Sequence, residues 1–255
     1  MARDLLLAAV AVLALTAGAA NAQNAAAPPA YVAAAVADKS RPAADSARDA
    51  DRRPVDMLAF AEVAPGQTVG DLLPGGGYFT RIFAKTVGAA GKVYAIITPA
   101  QAEAATPPAI RAVAADPAYG NIEVVTTPFE TLVLPTKADV IWTSQNYHDL
   151  HGTRPGRPPT DVAKVNKAVF DALKPGGLFI VLDHAASPGA PLAVVDTLHR
   201  IDPQVVKSEV IAAGFTFDGE SPMLRNSADD HTLPVFDPKI RGHTDQFVYR
   251  FRKPK

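Results

Sequence analysis

Short apolar runs separated by helical segments are the feature that most constrains the fold of this chain. Five runs predict buried strands: TVGDLL, KVYAII, IEVVTT, ADVIWTS and LFIVLDH, which begin at Thr68, Lys92, Ile122, Ala138 and Leu178. Strands that alternate with helices are typical of a mostly parallel sheet with helices on both faces, because parallel neighbours need a long crossover connection. The sequence therefore predicts a doubly wound α/β fold.

Two further strands are predicted near the C-terminus, FTFDGE from Phe215 and DQFVYRFR from Asp245. In the second, Phe247, Tyr249 and Phe251 recur at every second position, and most of their neighbours are polar. That pattern is typical of an antiparallel strand with one face towards solvent.

Helical spacing of apolar residues defines the connecting segments. From Tyr78 to Val87, large apolar side chains recur on one stripe, and Gly88 predicts the end of that helix. A second helix is predicted from Gln101 to Ala115, with a proline pair inside it. Asp202, followed by a proline, predicts the start of a later helix.

The segment DLLPGGGYFT, from Asp71 to Thr80, joins the first predicted strand to the next helix. Glycine tolerates positive φ and close approach of a ligand, and the amides at a helix start favour anionic groups. Gly75, Gly76 and Gly77 therefore predict either a ligand cradle or a tight turn that only reverses the chain. Neither the phosphate-loop pattern nor the G-x-G-x-x-G spacing is present.

The N-terminal residues predict export. An uncharged apolar run begins at Leu5 and ends in the small residues Ala20 to Ala22, so residues 1–22 are expected to be a signal peptide cleaved after Ala22. The alternative is an uncleaved membrane anchor. The alanine- and proline-rich residues 23–46 are expected to be a disordered tether, followed by a single domain from 47 to 255 in the periplasm or outside the cell.

Charge and cysteine content exclude several functions. The chain has 25 basic and 26 acidic residues, which argues against a nucleic-acid partner held by a basic surface. It has no cysteine, so disulfides and thiolate metal sites are excluded. The composition does not indicate an oligomeric state.

Several stretches in this order resemble class I S-adenosylmethionine-dependent methyltransferases. They are VGDLLPGGGYFTRIFAKTVGAAGKVYAI, ADVIWTSQNYHDLH, LKPGGLFIVLDH, IAAGF and, near the C-terminus, SADDHTLPVFDPKIRGHTDQFVYRFRKP. Together they extend from Arg52 to Pro254 and are more narrowly similar to an uncharacterised group of predicted, often exported, methyltransferases. The resemblance implies a seven-stranded Rossmann-like sheet whose last strand is antiparallel.

The resemblance also implies a bound cofactor, S-adenosylmethionine, and a small-molecule substrate. The methyl donor is expected over Gly75 to Gly77, beside Tyr78, with Asp71 serving its amino-acid end. Asn146 and the residues after it are expected to face the methyl group and the substrate.

Three positions depart from the family pattern. Leu73 replaces the first glycine of the loop, and no acid ends the second strand, where Ile97 and Thr98 stand. Thr127 replaces the acid after the third strand. Thr98 and Thr127 are expected to bind the donor by hydrogen bonds without charge assistance.

The polar segment NYHDLH, from Asn146 to His151, follows the fourth predicted strand. We predict His148 as a general base, oriented by Asp149, with His151 as the reserve. The alternatives are a polar loop of hydrogen-bonding histidines and a metal site formed by His148, Asp149 and His151.

Two residues beyond this segment allow two interpretations each. Asp183, at the end of the fifth strand, either lines the same cleft or caps the following loop. Arg200 either clamps an anionic substrate or, as we expect, lies solvated at the surface.

Three functions remain open from the sequence. The first is a methyltransferase acting on a small molecule, and the second is an exported binding protein that has lost catalysis on the same fold. The third is a metal-assisted hydrolase built on the HDLH residues.

Overall fold

The structure, a computed structural model, describes residues 27–153 and 159–255. The predicted signal peptide, residues 1–22, lies outside the described residues. Among the described helices, none combines the length and the apolar character that crossing a bilayer requires.

The helices and strands follow one another along the described chain in the predicted alternation. The helices are α1 (Ala30–Val36), α2 (Ala43–Ser46), α3 (Asp49–Arg52), α4 (Pro54–Phe60), α5 (Tyr78–Val87), α6 (Pro99–Ala102), α7 (Ala109–Ala115), α8 (Val162–Ala172), α9 (Val194–Leu198) and α10 (Pro203–Ala212). The strands are β1 (Thr68–Leu72), β2 (Lys92–Ile97), β3 (Ile122–Thr126), β4 (Ala138–Ser144), β5 (Leu173–His184), β6 (Thr216–Ser221) and β7 (Gln246–Arg252). Short 3-10 turns lie at Pro117–Tyr119, Phe129–Thr131 and His148–Leu150.

The seven strands form one sheet in the order β3-β2-β1-β4-β5-β7-β6. The first five strands pair in parallel, and β7 pairs antiparallel with both β5 and β6. The predicted seven-stranded sheet with an antiparallel last strand is confirmed. From β1 the chain continues to β2 and β3 on one side, whereas β4 and β5 lie on the other side of β1. A cleft opens between β1 and β4 at their carboxyl ends, because the connections leave these two strands in opposite directions.

Alternate residues of each strand enter two different cores, as the two-residue period of a strand requires. Val140 and Trp142 of β4 face a core covered by α1, α4, α5 and α7. Ile141, between them, faces a second core covered by α8 and α10. Both faces of the sheet are therefore buried, which explains the nearly continuous apolar runs of its parallel strands.

The N-terminal segment is the main correction to the predicted organisation. Residues 27–46 were expected to be a disordered tether, but they form α1 and α2 and pack on the domain. Val32 is fully buried and Ala35 nearly so, where α1 lies against α4 and α5. Arg41 is also buried and forms a bidentate pair with Asp49, at 2.6 and 2.8 Å. The domain therefore extends to the start of the described chain.

The helix predicted from Gln101 to Ala115 is divided into α6 and α7. Pro107 and Pro108 stand between them, and proline disfavours helical conformation in the preceding residue and lacks an N–H donor. The first of the two helices, α6, begins at Pro99, two residues after the carboxyl end of β2.

Candidate functional site

The glycine loop after β1 and the polar segment after β4 meet at the carboxyl edge of the sheet. The two strands are direct neighbours, with Leu72 opposite Thr143 at their ends. The side chain of Asn146 donates a hydrogen bond to the carbonyl oxygen of Leu73 at 3.0 Å, which ties the two loops together. The sheet thus brings both predicted site segments into one place.

The glycine loop has an open side and a packed side. A Cβ atom added to Gly75 or Gly76 would meet no atom within 4 Å, whereas one at Gly77 would approach Ile110 and Val113 to 3.1 and 3.2 Å. Gly77 is therefore needed for helix packing and for its φ of 81°. Gly75 and Gly76 instead leave free space above the backbone, as a ligand cradle requires.

Leu73, at the start of the glycine loop, has a left-handed backbone conformation. Its φ is 59°, in the left-handed region that glycine occupies without strain. For a leucine this backbone costs about 1 kcal/mol. The N–H of Leu73 donates to the carbonyl oxygen of Ile96 at 3.1 Å, which holds the residue in this bend.

A cavity of about 490 Å³ opens on one side of the loop. Its walls come from the ends of β1, β2, β3 and β4, and they include the predicted residues Gly75, Thr98, Asn146 and Asp149. A volume of this size is ordinary for a small-ligand site.

The hydroxyls of Thr98 and Thr127 both have hydrogen-bond partners within the protein. Thr98 caps α6, since its hydroxyl accepts the N–H of Gln101 at 3.2 Å. The exposed Thr127 hydroxyl points back to the carbonyl oxygen of Pro128 at 3.2 Å. Within the described residues, the cavity wall beyond β3 is formed by Pro128, Phe129 and Glu130. Glu130 thus supplies a carboxylate at this wall, three residues after Thr127.

A second recess of about 220 Å³ lies on the other side of the loop and shares Leu73, Gly75 and Asn146 with the cavity. It is lined by the predicted residues Asp71 and Tyr78 and by two arginines from the N-terminal segment, Arg48 and Arg52. Sequence reasoning missed both arginines, because the segment before them was taken for a tether.

Asp71 is buried at the floor of this recess and accepts the Thr80 hydroxyl at 2.6 Å. Burial raises the pKa of its carboxyl to about 7, against the opposing effects of the Thr80 hydrogen bond and the charge of Arg52. A carboxyl with this pKa changes its charge readily when a cation binds nearby.

Arg52 lies opposite Asp71, beside the ring of Tyr78. Its guanidinium carbon is 4.7 Å from the ring centroid, and one N–H donates to the side chain of Gln145 at 2.8 Å. Burial, with repulsion from Arg48, lowers the pKa of Arg52 to about 10, so it stays charged at neutral pH. Tyr78 is held in place by its hydroxyl, which donates to Asp49 at 2.6 Å. The recess therefore offers a fixed cation beside a titratable carboxyl.

His148 is buried on the other side of β4 and pairs with Asp183. Its backbone N–H and its ring Nδ1 donate to the two carboxylate oxygens at 2.7 and 2.8 Å. Burial lowers the pKa of His148, but the charge and the hydrogen bond of Asp183, together with the charge of Asp149, outweigh burial, and the net pKa is raised. The sequence left open whether Asp183 lines the cleft or caps a loop; in the structure it orients His148.

His151 lies apart from this pair. Its Nε2 is 3.1 Å from the carboxylate of Glu209 on α10, which also accepts the hydroxyl of Tyr147 at 2.9 Å. The alternative of a metal site formed by His148, Asp149 and His151 is therefore not supported, because His151 does not join the other two. In the described chain, His199 takes the place of His151: ligand atoms of His148, Asp149 and His199 all lie within 4.8 Å of one another.

Arg200 is buried rather than solvated, which corrects the sequence-based expectation. It pairs with Asp229 at 2.9 Å and donates to the carbonyl oxygens of Ala185 and Leu233. These contacts fix the segment that carries His199. The arginine is structural, because its charge is compensated inside the protein.

No protein-family model matches the chain, and no curated protein sequence matches it. Among solved structures, it is similar to a SAM-dependent methyltransferase from Aquifex aeolicus, with 18% identity over 77% of this chain and 87% of the other, and a TM-score of 0.54. It is similar to an arsenic(III) S-adenosylmethionine methyltransferase from Chlamydomonas reinhardtii, with 21% identity over 90% and 75% of the two chains and a TM-score of 0.53.

A third similar structure is the (4+2)-cyclase SpnF, with 17% identity over 80% of this chain and 82% of the other, and a TM-score of 0.58. These likenesses show that the chain has the fold of class I methyltransferases. The cyclase illustrates that the fold carries more than one chemistry, so the function has to be argued from the site.

Proposed function

We propose that this protein is an S-adenosylmethionine-dependent methyltransferase that acts on a small molecule. The observation that carries the proposal is the continuous cleft at the ends of β1 and β4, floored by two glycines that a Cβ would not crowd. Its two compartments match the two ends of an adenosyl amino acid, and the shared fold supports this placement.

The recess fits the amino-acid end of the donor. Asp71 would hold the ammonium group, and Arg48 and Arg52 would hold the carboxylate. An arginine paired with a carboxylate gains charge-assisted hydrogen bonds, which are stronger than neutral ones. The opposite charges in the recess are therefore arranged for a zwitterion.

The larger cavity fits the adenosine end. Pro99 and Phe129 give it apolar walls, and Gln101 and Glu130 give it polar groups for ribose hydroxyls or an amine. Glu130 supports the proposal despite the threonines at the two expected acid positions. When bound, S-adenosylmethionine supplies an electrophilic methyl group.

The acceptor would approach from the segment after β4. Asp183 holds the proton on Nδ1 of His148, so Nε2 is the atom that would take the proton released by the acceptor. Asp149, at the cavity wall, would orient the acceptor or His148. His151 is bound to Glu209 and has no part in this step.

Binding of the donor is the first test. We would titrate S-adenosylmethionine and its demethylated product into wild-type protein, Gly76→Val and Gly120→Val by calorimetry. Gly120 is the matched control, because it lies outside the cleft, has a φ of −61° and leaves room for a Cβ. Micromolar binding lost only in Gly76→Val is expected. Failure of wild-type protein to bind at millimolar ligand would overturn the proposal.

Turnover separates the proposal from its alternatives. Transfer of a labelled methyl group to any small-molecule acceptor distinguishes an enzyme from a binding protein on the same fold. A non-catalytic protein would bind the donor without transfer, and a metal-assisted hydrolase would act without the donor.

We also infer from the sequence that the protein is exported. Cleavage after Ala22 would leave a mature chain beginning at Gln23. Mass measurement of protein recovered from the periplasmic fraction tests this inference, and an uncleaved chain in the membrane fraction would contradict it.

A further inference from the structure

Three side chains of types that bind metals converge beside the cleft, and one of them, His199, is distant in sequence from the other two. His148 and Asp149 follow β4, and His199 follows α9. One ligand atom of each lies within 4.8 Å of the other two, and Nε2 of His148 is 3.9 Å from Oδ1 of Asp149. A cation bound at about 2.1 Å separates its ligands by roughly 3.5 Å, so only small side-chain movements are needed.

We propose that His148, Asp149 and His199 bind a divalent cation of the zinc class. Two imidazoles and one carboxylate form a ligand set that such ions accept. The proposal goes beyond methyl transfer and does not depend on donor binding.

Asp183 is already placed as an outer partner of this site. It is fully buried and accepts the Nδ1 proton of His148 at 2.8 Å. This contact fixes the tautomer that presents the lone pair of Nε2 to a metal. A histidine ligand that donates its second nitrogen to a carboxylate is a recurrent arrangement in metal sites, where it orients the ring and raises its basicity.

The backbone at His199 supplies a second, independent observation. His199 has φ 53° and ψ 48°, a left-handed conformation that costs a non-glycine residue about 1 kcal/mol. The bend places its ring 5.5 Å from the ring of His148 and 4.8 Å from that of Phe236. The next residue, Arg200, is buried and anchored by Asp229, so the ring of His199 is held against His148 before any ion binds.

The cation would lie at the edge of the large cavity, because Asp149 is both a ligand and a wall residue. Three protein ligands leave a coordination position for water or for an oxygen of the acceptor. Nε2 of His148 cannot bind the ion and accept a proton at the same time. When bound, the ion would replace His148 in promoting loss of the acceptor proton, because its positive charge stabilises the anionic form of the acceptor.

Direct metal titration tests the proposal. The full mature chain without a polyhistidine tag is stripped with chelator and titrated with zinc chloride by calorimetry, and with cobalt chloride by visible absorption. We expect one ion per chain, with the d–d bands of a low-coordinate nitrogen and oxygen site.

His199→Gln is the test variant because His199 is only partly buried and its loss leaves Asp183 paired. We expect zinc affinity to fall at least tenfold. His151→Gln is the matched control, because His151 pairs with Glu209 and lies outside the proposed site. The zinc affinity of this variant should equal that of the wild type. Absence of wild-type binding at millimolar zinc, or equal affinity in His199→Gln, would overturn the proposal. Donor binding is measured in a separate titration, so either result can contradict its own proposal without affecting the other.

Discussion

Asp183 accepts two hydrogen bonds from His148, one from the ring Nδ1 at 2.8 Å and one from the backbone N–H at 2.7 Å. The carboxylate thus fixes both the position and the orientation of the histidine after β4. The relationship joins the end of β5 to the turn after β4, and it is completed by the N–H of His184 at 2.7 Å. Three donors on one buried carboxylate make it difficult to replace.

Asp183→Asn should lower both the pKa of His148 and the stability of the protein. The charge that raises the pKa is removed while burial remains, and an amide N–H would face a backbone donor. We expect a loss of about 3 kcal/mol in the free energy of unfolding. NMR titration of the metal-free protein and urea unfolding measure the two effects. The exposed substitution Asp230→Asn is the control, and an unchanged His148 pKa in Asp183→Asn would contradict the assignment.

Arg52→Lys should weaken donor binding by about tenfold, because an ammonium cannot make the paired hydrogen bonds of a guanidinium with a carboxylate. The loss should be specific to the amino-acid end. Calorimetry with 5′-methylthioadenosine, which lacks that end, should show little change. Arg53→Lys is the neighbouring control, since Arg53 is exposed and pairs with Asp56. An equal loss for both ligands would show that Arg52 acts through folding instead.

Asp71→Asn should stabilise the protein at alkaline pH while it weakens donor binding. The folded pKa of Asp71, about 7, lies above the ordinary aspartic acid pKa of 3.8, so the folded state holds a proton that the unfolded state releases between these values. The wild type therefore loses stability as pH rises from about 4 to 7, and the asparagine variant does not.

The difference should appear in urea unfolding at two pH values. At pH 4 the two proteins should have similar free energies of unfolding, and at pH 8 the variant should be more stable by roughly 2–4 kcal/mol. Thr80→Val is a useful companion, because it removes the hydrogen bond that favours the charged form and should raise the pKa of Asp71 further. A difference that is the same at both pH values would contradict the assigned pKa.

Val32→Ala should destabilise the protein by about 1–2 kcal/mol, because Val32 is fully buried against the helices that cover the sheet. If residues 23–46 behaved as a tether, the substitution would have no effect. Thermal and urea unfolding measure the change. Val133→Ala is the matched control, since Val133 is 76% exposed and should be nearly neutral.

The order of the strands and helices and the class of sheet can be predicted from the sequence alone. Strand length, helical spacing and the parallel crossover rule depend on residues close together in the chain. The same rules placed the glycine loop and the segment from Asn146 to His151 at one edge of the sheet, where the structure shows them.

Which side chains contact one another depends on the complete fold. Arg52 reaches Gln145, His148 reaches Asp183 and His151 reaches Glu209 across long stretches of sequence, and no local pattern predicts such contacts. Asp149 and His151 both lie within three residues of His148 in the chain, yet only Asp149 has a ligand atom beside it. The reason is that Glu209 on α10 offers His151 a carboxylate partner of its own.

Burial also depends on the whole fold. Residues 23–46 are rich in alanine and proline, a composition that predicts disorder when the segment is considered alone. Val32 and Ala35 become buried because α4 and α5 present an apolar surface to them, and that surface exists only once the sheet has formed. Arg200 is buried for the same kind of reason, since Asp229 arrives from a distant loop to compensate its charge.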